Sequence, residues 1–140
     1  MKKIKVIYWS GTGNTEMMAK AVADGASSGG SVAELLDVSK ASADTVAQAD
    51  AVAIGCSASG AETLEEGEME PFIESIKGVV SGKPIVLFGS YGWGDGEWMR
   101  DWETRCKEAG AVLICESVIC NEMPDDEGIQ SCKALGENLD

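Results

Sequence analysis

The chain predicts an α/β fold: a three-layer, doubly wound sandwich whose five-stranded parallel sheet runs in the order 2-1-3-4-5. Three observations predict it. Short apolar runs alternate with helical patterns along all 140 residues. The runs are nearly continuous in apolar character, as in strands covered on both faces. Segments suited to ligand binding follow directly on the first, third and fourth runs, at the strand ends where such sheets bind ligands.

The elements follow in order. Lys3–Trp9 reads as the first strand and 14–27 as a helix, broken by Ser28-Gly29-Gly30. Residues 31–37 form the second strand, although Val32, Leu35 and Leu36 do not alternate cleanly. A short helix fits 41–49, and a buried-type strand fits 51–55. Phe72, Ile73, Ile76, Val79 and Val80 recur at helical spacing over 70–80. Residues 84–89 are a strand rich in Ile, Val, Leu and Phe. Residues 97–109 are a helix with Gly110 as its C-cap. A last strand spans 111–120 and a last helix 126–139. Repeats, linkers and low-complexity tracts are absent, so residues 1–140 read as a single domain.

The most informative stretch is Val6-Ile7-Tyr8-Trp9-Ser10-Gly11-Thr12-Gly13-Asn14-Thr15-Glu16. An apolar strand runs into a loop of glycines and hydroxyls, and a helix starts at once. N–H groups of a first helical turn lack intrahelical partners, and the helix dipole favours an anion there. Ser10, Thr12, Asn14 and Thr15 add side-chain donors. No Lys, Arg or His lies between Val6 and Ala19, so the loop would hold a phosphate through neutral groups. A P-loop needs a Lys-Ser/Thr pair, and Thr15-Glu16 stands in that place. A dinucleotide fingerprint needs a third glycine, and position 16 is Glu; Asp37 at the second strand end is a weak ribose acid. A phosphate monoester on a hydroxyl-rich loop remains, against the plain alternative of a glycine turn with a capped helix.

Composition removes other classes. With 24 acidic against 11 basic residues the net charge is −13, which repels nucleic acid and anionic membrane alike. The same field favours a partner with a basic face. Apolar runs are of strand length, which excludes a membrane span. The basic start Met1-Lys2-Lys3-Ile4-Lys5 leads into a glycine loop rather than a long apolar stretch, so a secretory signal is not expected. Five cysteines, with no Cys-x-x-Cys spacing and no histidine, argue against zinc, iron–sulfur and disulfide frameworks. Cys115 and Cys120 read as small core residues. The cytoplasm is the expected location.

Ser10-Gly11-Thr12-Gly13-Asn14-Thr15 resembles the phosphate-binding loop of flavodoxins. Tyr8-Trp9 before it and Glu16 after it are similar to the short-chain clostridial type. A second match is Gly55-Cys56-Ser57-Ala58-Ser59-Gly60-Ala61-Glu62, and a third runs from Leu87-Phe88-Gly89-Ser90-Tyr91-Gly92-Trp93-Gly94 to Trp98. The resemblance implies FMN as cofactor. It further implies that Ser57, Ala58, Ser59, Gly60, Ala61 and Glu62 lie along the ring edge. The Gly60 carbonyl would turn toward N5, and Glu62 would accept from N3–H. Trp93 would stack on one ring face, with Gly92 and Trp93 N–H groups at the N1/O2 edge within the Tyr91–Gly94 loop. Ser57 and Ser90 would help hold the ribityl chain. Ser59 departs from the pattern, where a large apolar residue, usually Met, covers the inner face. Ala61 replaces what is often a polar residue. Trp98 and Trp102, one helical turn apart, read as core, and Trp9 as structural.

The implied function is a low-potential one-electron carrier on the semiquinone/hydroquinone couple of FMN. It would be an electron-transfer protein and a monomer, serving basic-faced redox partners, with no nucleic acid or membrane. Glu62, Glu65, Glu66, Glu68, Glu70, Asp95 and Glu97 crowd the flavin loops, and like charge disfavours an anionic reduced ring. Two other classes compete. An NAD(P)H-dependent FMN or quinone reductase would need a nicotinamide site that no motif supplies. A phosphoacceptor receiver domain needs aspartates where Trp9-Ser10 and Gly55-Cys56 end their strands.

Overall fold

The computed structural model describes residues 2–11, 13–58, 65–92 and 96–139. Along the chain run β1 (Lys3–Trp9), α1 (Asn14–Ala26), β2 (Val32–Asp37), a 3₁₀ turn (Val38–Lys40), α2 (Ala43–Ala47), β3 (Ala51–Cys56), α3 (Met69–Ile76), β4 (Pro84–Tyr91), α4 (Glu97–Glu108), β5 (Val112–Leu113), β6 (Val118–Asn121) and α5 (Asp126–Glu137). The sheet order is β2-β1-β3-β4-β5, with β6 also on β4, and every pairing is parallel. The predicted fold class therefore holds.

The period-2 alternation of each strand separates two cores. Ile4, Val6, Ala51, Ala53, Val86 and Phe88 face α1 and α5. Ile7, Val52, Ile54, Ile85 and Leu87 face α3 and α4, where Trp98 and Trp102 are buried as expected. β3 is buried at every position, which explains why it reads as an unbroken apolar run. On one outer layer, α1 and α5 cross at two glycines: a Cβ on Gly25 would lie 1.9 Å from the Lys133 carbonyl oxygen, and one on Gly136 1.9 Å from that of Val22. Only bare backbone permits that approach. On the other layer, Arg105 of α4 reaches α3, with Nη2 2.7 Å from Glu70 Oε2 and 3.4 Å from Glu74 Oε1.

Three elements differ from the sequence reading. The last strand is two strands. Between the pairs Ile85–Leu113 and Phe88–Val118, β4 advances three residues while its neighbour advances five, so two extra residues loop out. Ser117 there donates to Glu103 Oε2 of α4 at 2.7 Å. The helix predicted over 70–80 ends at Ile76 and continues as a turn, although Val80 stays buried. Its start is fixed by Glu65, whose carboxylate accepts from the N–H groups of Gly67 (2.6 Å), Glu68 (2.7 Å) and Met69 (3.0 Å). Gly110, at φ 89°, follows the actual C-cap Ala109. Cys115 and Cys120 are half-buried at the core margin rather than within it.

Candidate functional site

The site forms where β1, β3 and β4 end, and the first turn of α1 is its floor. Gly13 precedes that turn at φ 94°, a left-handed conformation that side chains other than Asn or Asp rarely adopt. With glycine there, no described side chain caps the turn, whose first N–H groups lack intrahelical partners. Gly13 N–H instead donates to Ser10 Oγ at 3.0 Å, closing the loop on itself and leaving the Ser10 hydroxyl hydrogen free to donate.

A triangle of hydroxyls joins this loop to the other two. Thr15 is fully buried. Its Oγ1 lies 2.7 Å from Ser57 Oγ and 3.0 Å from Ser90 Oγ, and it accepts from Ser90 N–H at 3.3 Å. Ser57 and Ser90 hydroxyls stand 3.3 Å apart. Ala58 N–H donates to the Ser90 carbonyl at 2.9 Å, pinning the β3 and β4 ends together. Three segments distant in sequence thus meet through one threonine.

Above the triangle opens a cavity of about 650 Å³, within the roughly 300–1,000 Å³ typical of cofactor sites. Of the predicted residues, Gly11, Asn14, Ser57, Ala58, Ser90, Tyr91 and Gly92 line it. Thr12, Ser59, Gly60, Ala61, Glu62, Trp93 and Gly94 lie outside the described residues. Trp9, Glu122 and Met123 line the cavity as well, and sequence reasoning did not assign them to it. The Trp9 ring packs under Gly11, where a Cβ would come within 3.1 Å of it. Glu122 is the one described non-glycine residue at positive φ (55°), and its N–H donates to the Tyr91 carbonyl at 2.7 Å. That turn follows β6 directly and carries Met123 to the rim.

Neutral N–H and hydroxyl groups face the anion end of the cavity, and no Lys or Arg is among its described lining residues. The donor set fits a phosphate monoester at a helix N-terminus, and the apolar walls of Trp9, Tyr91 and Met123 fit a flat ring. No thiol there serves as a nucleophile: burial pushes Cys56 up to about 12, and its Sγ donates to the Ser57 carbonyl. The acidic row is less available than its sequence suggests. Glu65 caps α3 and Glu70 pairs with Arg105, while Glu122 adds a carboxylate at the rim.

Residues 6–136 match the flavodoxin family model. The flavodoxin of Clostridium beijerinckii is 46% identical over 136 residues, covering 97% of this chain and 98% of that one. The flavodoxin of Megasphaera elsdenii is 42% identical over 134 residues, covering 96% of each. The solution structure of two-electron reduced M. elsdenii flavodoxin superposes with a TM-score of 0.90 over 97% of both chains. The fold is that of an FMN-dependent redox carrier, and the chain belongs to the flavodoxin family. Within the family it is of the short-chain clostridial type. It carries electrons at low potential on FMN between redox proteins and is not an enzyme with a substrate of its own. Among the described residues, no helix is long and apolar enough to cross a membrane.

Proposed function

We propose that the loop Ser10–Thr15 holds the FMN phosphate, that Ser57 and Ser90 hold the ribityl chain, and that the segments 58–62 and 91–94 take the ring. One observation carries this reading: three loops from separate strands converge on a single cavity through the Thr15 hydroxyl. Ser10, Gly11, Thr12, Gly13 and Asn14 act on the phosphate through N–H and hydroxyl donors. Thr15 acts through its backbone N–H, because its side chain is engaged with Ser57 and Ser90. Ala58, Ser59, Gly60, Ala61 and Glu62 follow the ring edge. Gly60 offers a carbonyl to N5, and Glu62 accepts from N3–H. In the second loop Trp93 stacks on one ring face beside Tyr91, Gly92 and Gly94. Bound FMN supplies reversible one-electron chemistry, and these residues bind, orient and desolvate it. Glu122 and the absence of cationic groups among the described lining residues disfavour negative charge on the ring, which keeps the potential low.

Titrating the apoprotein with FMN and with riboflavin, followed by flavin fluorescence, tests the assignment. FMN should bind far more tightly, since only it reaches the α1 cradle. Equal affinities would remove the phosphate role of Ser10–Thr15.

Residues 1–140 work as a single domain and a monomer in this reading. Its partners are redox proteins with basic faces, which the net charge of −13 supports. Their electron-transfer rate should fall as salt rises. Five free cysteines support the reducing cytoplasm as its location.

A further inference from the structure

Two of the five cysteines lie between β6 and α5, where Cys120 pairs in register with Ser90 beside the candidate site. Period-2 alternation in β6 turns Val118 and Cys120 toward the core beneath α5. On α5, Gly128 and Cys132 lie one turn apart on the face that receives them. The Cys120 sulfur sits against Gly128, where a Cβ would come within 2.8 Å of it. The missing side chain at Gly128 makes the space for this sulfur, one helical turn from Cys132 on the same face of α5. Cys132 is fully buried, while Cys120 is half-buried and lines a surface cavity of about 300 Å³ with Asp125, Gly128 and Ser131. One thiol is reachable from solvent and the second stands behind it.

We infer that Cys120 and Cys132 are a redox-active dithiol that hydrogen peroxide closes to an intramolecular disulfide. The Cys120 thiolate attacks one peroxide oxygen. The O–O bond breaks, water leaves, and Cys120 becomes a sulfenic acid. The Cys132 sulfur then attacks Cys120, forming the S–S bond and expelling a second water. Two electrons pass from the dithiol to the peroxide, and a small thiol restores the pair by exchange. The hydrogen bond between the two sulfurs holds the Cys120 thiol below its usual range, against burial and Asp125, and pushes Cys132 up. The other thiols are poorer targets: burial pushes Cys56 up to about 12 and Cys106 up to about 11, and it raises Cys115, which bonds to Asn138.

The test exposes the FMN-loaded protein to hydrogen peroxide, quenches it, and labels thiols with N-ethylmaleimide in denaturant. Untreated protein takes five labels, one per cysteine. Treated protein should lose two labels, and cleavage after Glu116, Glu122, Glu127 and Glu137 should give a Cys120 peptide, separated from Cys115, joined to a Cys132 peptide. In Cys132→Ser, Cys120 should stop at a sulfenic acid that dimedone captures. Retention of five labels, a bridge through Cys115, or over-oxidation of Cys120 without a bridge in the wild type would overturn the inference. The wild-type map decides the matter even if the variant fails to fold.

Discussion

Gly136→Ala places a methyl where α5 crosses α1. Helix propensity alone favours the change by up to about 1 kcal/mol. A steric clash opposes it and is the stronger effect. The new Cβ would lie 1.9 Å from the Val22 carbonyl oxygen and 2.7 Å from Ala26 N, both backbone atoms that no rotamer change can move. Restoring ordinary contact above 3.4 Å requires the helices to part by roughly 1.5 Å, opening the core around Val22, Cys132 and Leu135. Such overpacking costs about 1–3 kcal/mol, and more where backbone meets backbone. The net expectation is a loss of about 2 kcal/mol and a fall in apoprotein Tm of roughly 6–10 °C. Thermal unfolding followed by circular dichroism measures it. Gly78→Ala is the control, because nothing lies within 4 Å of its Cβ; it should be neutral or stabilising by about 0.4–1 kcal/mol. A Gly136→Ala variant as stable as wild type would refute the close crossing.

Thr15→Val keeps shape and removes the hydroxyl that joins three loops. Ser57 and Ser90 lose a buried partner, so apoprotein stability should drop by about 1–3 kcal/mol. FMN should bind roughly tenfold more weakly, equivalent to about 1.4 kcal/mol of lost loop alignment, with Thr15→Ser restoring both. Glu65→Gln tests the α3 cap by pH. Burial raises the Glu65 carboxyl, but bonds from Met69, Glu68 and Gly67 N–H outweigh it and the group titrates low. Its stabilisation is therefore present above the ordinary carboxylate range and lost as pH falls through the lowered folded value. Glu65→Gln should be less stable near neutrality and lose less on acidification, as urea midpoints at several pH values would show.

Much of the fold was legible because buried parallel strands leave a plain trace. β1 and β3 are apolar nearly throughout, and the loops after them carry glycine and hydroxyl residues in place of further apolar ones. What stayed hidden depends on register or on a single residue. The break between β5 and β6 adds two residues to an otherwise apolar run, and composition does not mark where they loop out. Glu65 is one acid among several, and only the backbone turn reveals it as the α3 cap. Glu122 and Met123 could have been found. They follow the strand at the fifth sheet position, whose carboxyl end shares the binding edge with β1, β3 and β4. Trp9 was read as structural because it ends a strand; it both packs under Gly11 and lines the cavity. The Cys120–Cys132 pair leaves no spacing signature, since a strand and a helix bring it together.

An anaerobic dithionite titration of the FMN-loaded protein, followed by its visible spectrum, tests the central claim most directly. Two one-electron steps are expected: yellow protein first gives a blue, neutral one-electron-reduced form and then bleaches at low potential. A direct passage to the two-electron form would contradict the carrier reading of this site.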